Sequence, residues 1–198
     1  MFSYQKKLQY PINIKNPNPK LAAFIVSQYG GPHGEAGAAM RYLSQRFSMP
    51  DGITKATLTD IGTEELGHLE MGGTLIHQLA KNATTTEIEN SPMAPYFIDH
   101  NKGVYPISAG GNPFSAATLS VTGDPIADLV EDLAAEQKAR ATYDNILRVS
   151  NDPDVNDVIK FLRQREIVHF QRFGEALDSV QNMINHKTIK GTGIKGGF

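Results

Sequence analysis

The 198-residue sequence contains no cysteine, which excludes disulfides, zinc-thiolate sites, iron-sulfur clusters and thiol nucleophiles together. Any metal it holds is bound through oxygen and imidazole. Basic excess is also missing: 19 Lys and Arg against 21 Asp and Glu give a formal net charge of −2, with no electrostatic footprint for nucleic acid. The N-terminus (MFSYQKKLQYPINIKNPNP) lacks the apolar centre of a signal peptide, and no run approaches the ~20 apolar residues of a membrane span. These absences lead to the expectation of a cytoplasmic protein with neither nucleic acid nor membrane as partner. What remains, 40% hydrophobic and 20% charged, is ordinary globular composition, and the length suits one domain with a full core.

Four segments show helical periodicity with readable start signals. The first runs from Pro19 to about Phe47 and is interrupted at Gly30-Gly31-Pro32, where proline removes a backbone donor and clashes with the preceding turn. A kink or break is predicted there. After the turn Met49-Pro50-Asp51-Gly52, the second runs from near Thr54 to about Asn82, with Leu58, Ile61, Glu65, His68, Gly72, Leu75 and Leu79 on one stripe. Residues 83–123 are rich in Thr, Pro, Gly and Asn, show no sustained period and read as a long crossover. Asp124-Pro125 and Asp152-Pro153 each join a cap to a first-turn proline and open the third and fourth helices. The third presents Leu129, Leu133, Glu136, Arg140, Tyr143 and Leu147; the fourth presents Val155, Val158, Leu162, Glu166, His169, Phe173, Ala176, Val180 and Ile184. Two short connections flanking one long crossover predict an all-α, ferritin-like four-helix bundle over residues 19–186. An arm at 1–18 precedes it and a short C-terminal tail at 187–198 follows.

Glu65-Leu66-Gly67-His68 and Glu166-Ile167-Val168-His169 are two copies of Glu-x-x-His, each on an apolar stripe where charge does not belong. Residues three apart share a helix face, so each pair can present a carboxylate and an imidazole to one point. The first and third helices each add one inner glutamate, Glu35 and Glu136, and both Glu35–Glu65 and Glu136–Glu166 are separated by 30 residues. The halves read as related hairpins whose carboxylates and imidazoles converge at mid-bundle. Four buried carboxylates would each cost several kcal/mol without neutralisation, and two divalent cations supply the matching charge. Arg140 can offset only part of it. His33, His77, His100 and His186 lack matching partners and read as surface or outer groups; Glu64 and Glu70, off the stripe, read as solvated or subunit-facing charges. Leu43, Phe47, Leu69 and Ile76 are apolar, lie off the ligand stripe and suggest a subunit contact, hence a homo-oligomer.

At Gly34-Glu35-Ala36-Gly37-Ala38-Ala39-Met40-Arg41-Tyr42-Leu43-Ser44-Gln45 and Glu64-Glu65-Leu66-Gly67-His68-Leu69-Glu70 the sequence resembles the manganese catalases, and the likeness extends from Pro17 to about Val180. The resemblance implies two manganese ions with a bridging water or hydroxide. Glu65 would bridge both, Glu35 and His68 would complete one, and Glu136 and His169 the other. It further implies an outer-shell Glu166 that moves protons, a Tyr42 hydrogen-bonded near the cluster, hydrogen peroxide as substrate and a hexamer as the assembly. Where some members carry an arginine before the third-helix glutamate this sequence has Ala135, implying wider access. The short length resembles the spore-coat branch of the family, which implies the spore coat as a location and other coat proteins as partners; it lacks the long tail that in other members wraps neighbours and helps bind calcium. Two other readings of the same ligand set are a di-iron oxidase or peroxidase, with Glu166 a direct ligand, and a structural coat protein with a vestigial metal site.

Overall fold

A computed structural model describes residues 3–189, with side chains placed as far as 185. It contains helices α1 (Pro19–Gly30), α2 (Glu35–Gln45), α3 (Gly52–Ala80), α4 (Thr85–Glu89), α5 (Ala94–His100), α6 (Pro125–Val149) and α7 (Pro153–Ile189). There is no strand among the described residues, only an isolated bridge between Ile107 and Pro113. The four-helix, ferritin-like bundle is formed by α1 with α2 as one broken helix, α3, α6 and α7. α6 lies along α7, α1 and α2 lie along α3, and α3 meets α7 across the centre. None of the described helices is long and apolar enough to cross a membrane.

Short acidic and amide side chains set the helix starts. Asn18 accepts from Leu21 N, Asp51 from Ile53 N and Thr54 N, Asp124 from Ile126 N and Ala127 N, and Asp152 from Asp154 N and Val155 N. α3 therefore begins two residues before the predicted Thr54. The break at Gly30-Gly31-Pro32 separates α1 from α2, and the crossover runs against it. A Cβ built on Gly30 would stand 2.3 Å from Pro106 Cα, so only glycine lets the two backbones approach so closely.

The crossover is more ordered than its composition suggests. It holds α4, closed by a Thr84–Glu87 capping box, then α5, whose Tyr96 hydroxyl donates to Gly103 O at 2.6 Å. At the other end, residues 3–17 run along the α3 and α7 surfaces. Tyr10 stacks on Phe161 at 4.7 Å and donates to Asp157, while Ile14 N donates to Gln78 Oε1 at 2.7 Å. α7 continues to Ile189, past the predicted end of the bundle, and residues 190–198 of the expected tail lie outside the described residues.

Two apolar clusters fill the interior. One gathers Leu21, Ile25, Met71, Leu75, Leu79, Val155, Ile159 and Leu162; the other gathers Tyr42, Leu58, Ile61, Leu129, Phe173 and Val180. On every helix the expected site residues fall between the two. Ile76 is 1% exposed and belongs to the first cluster, so it is a core residue and not a subunit contact. Ile184, expected inside, is 39% exposed because α7 has by then outrun the other helices. Arg140 turns outward to Asp144 Oδ2 at 2.6 Å and Gln137 Oε1 at 2.7 Å, and offsets no charge inside.

Gly30→Ala is expected to push the crossover off the α1 terminus and cost about 1–3 kcal/mol by overpacking. Thermal unfolding measures this, and a melting temperature equal to wild type would show that the close approach is relaxed at no cost.

Candidate metal centre

The six expected ligand-type side chains meet at mid-bundle, all 0–2% exposed. Glu35 is the first residue of α2, placed there by the break; Glu65 and His68 lie on α3, Glu136 on α6, and Glu166 and His169 on α7. Glu65 occupies the middle. Its Oε2 lies 2.7 Å from His68 Nδ1 and its Oε1 lies 2.7 Å from His169 Nδ1. Around this axis, His169 Nδ1 is 3.5 Å from Glu136 Oε2, and His68 Nδ1 is 3.9 Å from both Glu35 Oε2 and Glu166 Oε1. The imidazoles face each other with centroids 5.5 Å apart.

Buried polar atoms are nearly always hydrogen-bonded, yet Glu65 Oε1, Glu136 Oε2, Glu166 Oε1 and His169 Nδ1 have no hydrogen-bond partner. They are donor atoms converging without protons aligned between them, which is the requirement of a cation. Glu65, His68, Glu166 and His169 each offer one ligand atom within 4.8 Å of one another, and Glu35 and Glu136 flank that group. Oxygen and imidazole donors with no thiolate suit manganese or iron. The residues present fit a pair of such ions.

Tyr42 donates to Glu136 Oε1 at 2.5 Å and packs edge-on against Phe173. Tyr143 makes the mirror contact, donating to Glu35 Oε1. It was not expected at the site, although a signal was present: Tyr42 follows Glu35 by seven residues and Tyr143 follows Glu136 by seven. Each tyrosine thus serves the glutamate of the other half.

Glu64 corrects a second expectation. It is neither simply solvated nor subunit-facing, because its Oε2 lies 3.0 Å from His169 Nε2 and its Oε1 lies 3.6 Å from His68 Nε2. Arg165 donates to it through Nε at 2.7 Å and Nη2 at 3.3 Å, and Gln9 of the N-terminal arm donates at 2.7 Å. One carboxylate so spans the outer edges of both imidazoles and turns both Nδ1 atoms inward. Glu70 meets only Tyr4 at the surface. His33 and His77 are exposed, His100 stacks on Tyr105, and the His186 side chain lies outside the described residues.

Electrostatics follow from this crowding. Burial and the Glu65 charge raise Glu35 well above the usual carboxylate range, and burial with Glu136 and Glu35 does the same to Glu166. Burial opposes protonation of the imidazoles, but the surrounding carboxylates together outweigh it. Glu65 with Glu64 and Glu35 push His68 up to about 10, and Glu65 with Glu136 and Glu64 push His169 up to about 12. Burial raises Glu64 too, yet the hydrogen bonds from His169, Arg165 and Gln9, with the His68 ring close by, hold it well below the usual range. Without metal, protons neutralise this cluster.

A ferritin-like bundle with a Glu/His cluster at its centre is the architecture of dinuclear-metal oxidoreductases. The chain belongs to the family described as manganese containing catalase, whose model matches residues 1–192. It is 47% identical to the protein CotJC of Bacillus subtilis (strain 168), over 96% of this chain and 100% of that one. It is 36% identical to a probable manganese catalase of Clostridium acetobutylicum, covering 94% of this chain and 84% of the other. Among solved structures, KatB, a manganese catalase from Anabaena, superposes with a TM-score of 0.85 at 35% identity, over 91% of this chain and 81% of that one.

Metal loading is expected to release protons. The raised values at His68 and His169 leave these imidazoles protonated at neutral pH in the metal-free protein, Glu35 and Glu166 are raised in the same direction, and ligands bind metal deprotonated. Apparent affinity should therefore rise with pH through the neutral range. Calorimetry in buffers of different ionisation enthalpy checks it: the same binding enthalpy in all of them would mean that no proton leaves.

Proposed function

We propose that the protein is a dimanganese catalase that disproportionates hydrogen peroxide, converting two molecules into two of water and one of oxygen. The observation that carries this is the Glu65 carboxylate, set between two imidazole Nδ1 atoms at 2.7 Å each and flanked by Glu35 and Glu136. Glu65 together with Glu35 and His68 would hold one ion, and Glu65 together with Glu136 and His169 would hold the other. When bound, the metal would supply two-electron redox chemistry toward hydrogen peroxide.

The chain supplies orientation and protons. Glu166 directs an unpartnered Oε1 toward the cluster from a fully buried carboxyl whose burial and carboxylate neighbours raise it well above the usual range, which suits it to shuttle protons to and from peroxide oxygens. Tyr42 and Tyr143 fix one oxygen of Glu136 and of Glu35, leaving the other oxygen of each free for metal. Glu64 holds the His169 tautomer.

One observation favours a second reading, a di-iron oxidase or peroxidase in which Glu166 is a ligand: Glu166 shares the 4.8 Å grouping with Glu65, His68 and His169. Elemental analysis together with a peroxide assay separates the two, and activity per metal pair separates either from a coat protein with a vestigial site. A place in the spore coat rests on the resemblance of this short chain to the coat branch of the family. The protein is further proposed to form a homo-oligomer, a hexamer by that resemblance, through a surface where Phe47 and Ile53 are 78% and 77% exposed.

Glu65→Ala is expected to lose both ions, since two cations would face each other with less compensating charge; about two metals retained per chain would sink the bridging role. Glu166→Gln should keep both metals while turnover falls by about 100-fold or more. Loss of one metal in that variant would favour the reading with Glu166 as ligand. Light scattering over a dilution series tests assembly, and a monomer with full metal content at every micromolar concentration would reject it.

A further inference from the structure

Beside the metal centre lies a second group of buried polar side chains, which the proposed chemistry leaves unused. Asp132 sits one turn before Glu136 on α6; it is fully buried, and neither carboxylate oxygen has a hydrogen-bond partner. Burial raises its carboxyl well above the usual range, with Glu136 and Asp128 adding to the rise, while Gln45 and Arg41 of α2, 0% and 3% exposed, oppose it. They carry orphan atoms of their own, Arg41 Nε and Gln45 Oε1. The structure shows no direct ion pair between Arg41 and Asp132.

The group has an outer and an inner end. Outward, Arg41 Nη2 donates to Thr118 O at 3.4 Å and Gln45 Nε2 to Ser120 O at 2.7 Å, both in the last stretch of the crossover, where Thr118 is exposed. Inward, Tyr42 follows Arg41 on α2 and donates to Glu136. Asp128, one turn further out on α6, is satisfied by Thr122 N, Thr122 Oγ1 and Gly123 N, so the missing partners are confined to the space between.

One orphan donor and three orphan acceptors in one buried space call for a molecule that both donates and accepts. Water does so, and buried polar groups without protein partners are normally satisfied by it. A cation is disfavoured by the Arg41 guanidinium beside the buried space. Hydrogen peroxide is neutral, close to water in size, and forms the same two kinds of hydrogen bond.

We propose that Arg41, Gln45 and Asp132 frame a hydrated vestibule that carries water and hydrogen peroxide between the crossover surface and the Glu136 side of the metal centre. The peroxide traffic rests on the catalase reading; the hydration does not. An arginine on α2 lines this route although position 135 carries alanine.

A crystal structure of the purified, metal-bearing protein that orders solvent tests the hydration. Waters bonded to Asp132, Gln45 Oε1 and Arg41 Nε are expected, and a dry Arg41–Asp132 ion pair overturns the proposal. Passage is tested with the double variant Gln45→Leu/Asp132→Leu and, as the conservative change, Asp132→Asn. At wild-type metal content the double variant should lose at least about tenfold in kcat/KM for peroxide with kcat little changed. The rate at which added azide alters the metal absorption spectrum should fall in parallel. Asp132→Asn, which keeps the polar lining, should stay near wild type in both. Unchanged azide kinetics in the double variant, or an equal loss in Asp132→Asn, overturns the passage, and the azide readout does so whether or not peroxide is turned over. Should the double variant fail to fold, the solvent structure and Asp132→Asn still decide.

Discussion

Charge at the centre of the bundle is the constraint on which the other features depend. Glu35, Glu65, Glu136 and Glu166 are all buried in one layer with His68 and His169, and isolated buried ions each cost several kcal/mol even after relaxation. Several of these groups have specific counterparts, while Glu166 Oε1 and Glu136 Oε2 are left without one. Glu65 lies between the imidazoles, the two tyrosines cap Glu35 and Glu136, and Glu64 with Arg165 takes up the imidazole outer edges. Apolar clusters on both sides exclude bulk water and fix the helices that carry these groups. With metal absent, protons on the carboxyls and imidazoles do the neutralising, so metal content and protonation are two states of one balance.

The inner layer was legible because helical spacing is strict. A charged residue on an apolar stripe stands out, and a second copy at the same separation removes coincidence, which is why Glu35, Glu65, His68, Glu136, Glu166 and His169 could be singled out from sequence. Tyr143 escaped because a tyrosine on a core stripe reads as core, and only its match to Tyr42 in the other half marks it as part of the site. Glu64 escaped for a different reason. It is one position off the stripe, and its partners Gln9, Arg165 and His169 lie 55, 101 and 105 residues away, so no local pattern carries the information.

The crossover and the core edges were less legible for reasons of length and geometry. α4 and α5 span five and seven residues, too short to show a 3.6-residue period, and are held by a capping box and by Tyr96 instead of by an apolar face. Arg140 shares a helical face with Glu136, but a long side chain follows its nearest carboxylates, and Asp144 stands one turn on. Ile76, next to the stripe residue Leu75, is covered by the first apolar cluster, a burial that the stripe alone does not reveal.

Symmetry explains both what is paired and what is not. The two hairpins repeat Glu, Tyr and Glu-x-x-His in order, and each tyrosine crosses to the other half, so exchanging the halves maps the inner layer onto itself. The exchange fails one residue earlier, where Glu64 on α3 corresponds to Arg165 on α7. That difference is useful to the fold: two glutamates there would repel across the bundle, whereas a glutamate and an arginine bind each other at 2.7 Å. It also makes the imidazoles unequal, since Glu64 stands 3.0 Å from His169 Nε2 and 3.6 Å from His68 Nε2. A carboxylate held closer to one imidazole makes that ring the stronger electron donor. The nearly symmetric inner layer therefore offers two imidazoles of different donor strength, with the difference originating in a residue pair one position off the inner stripe.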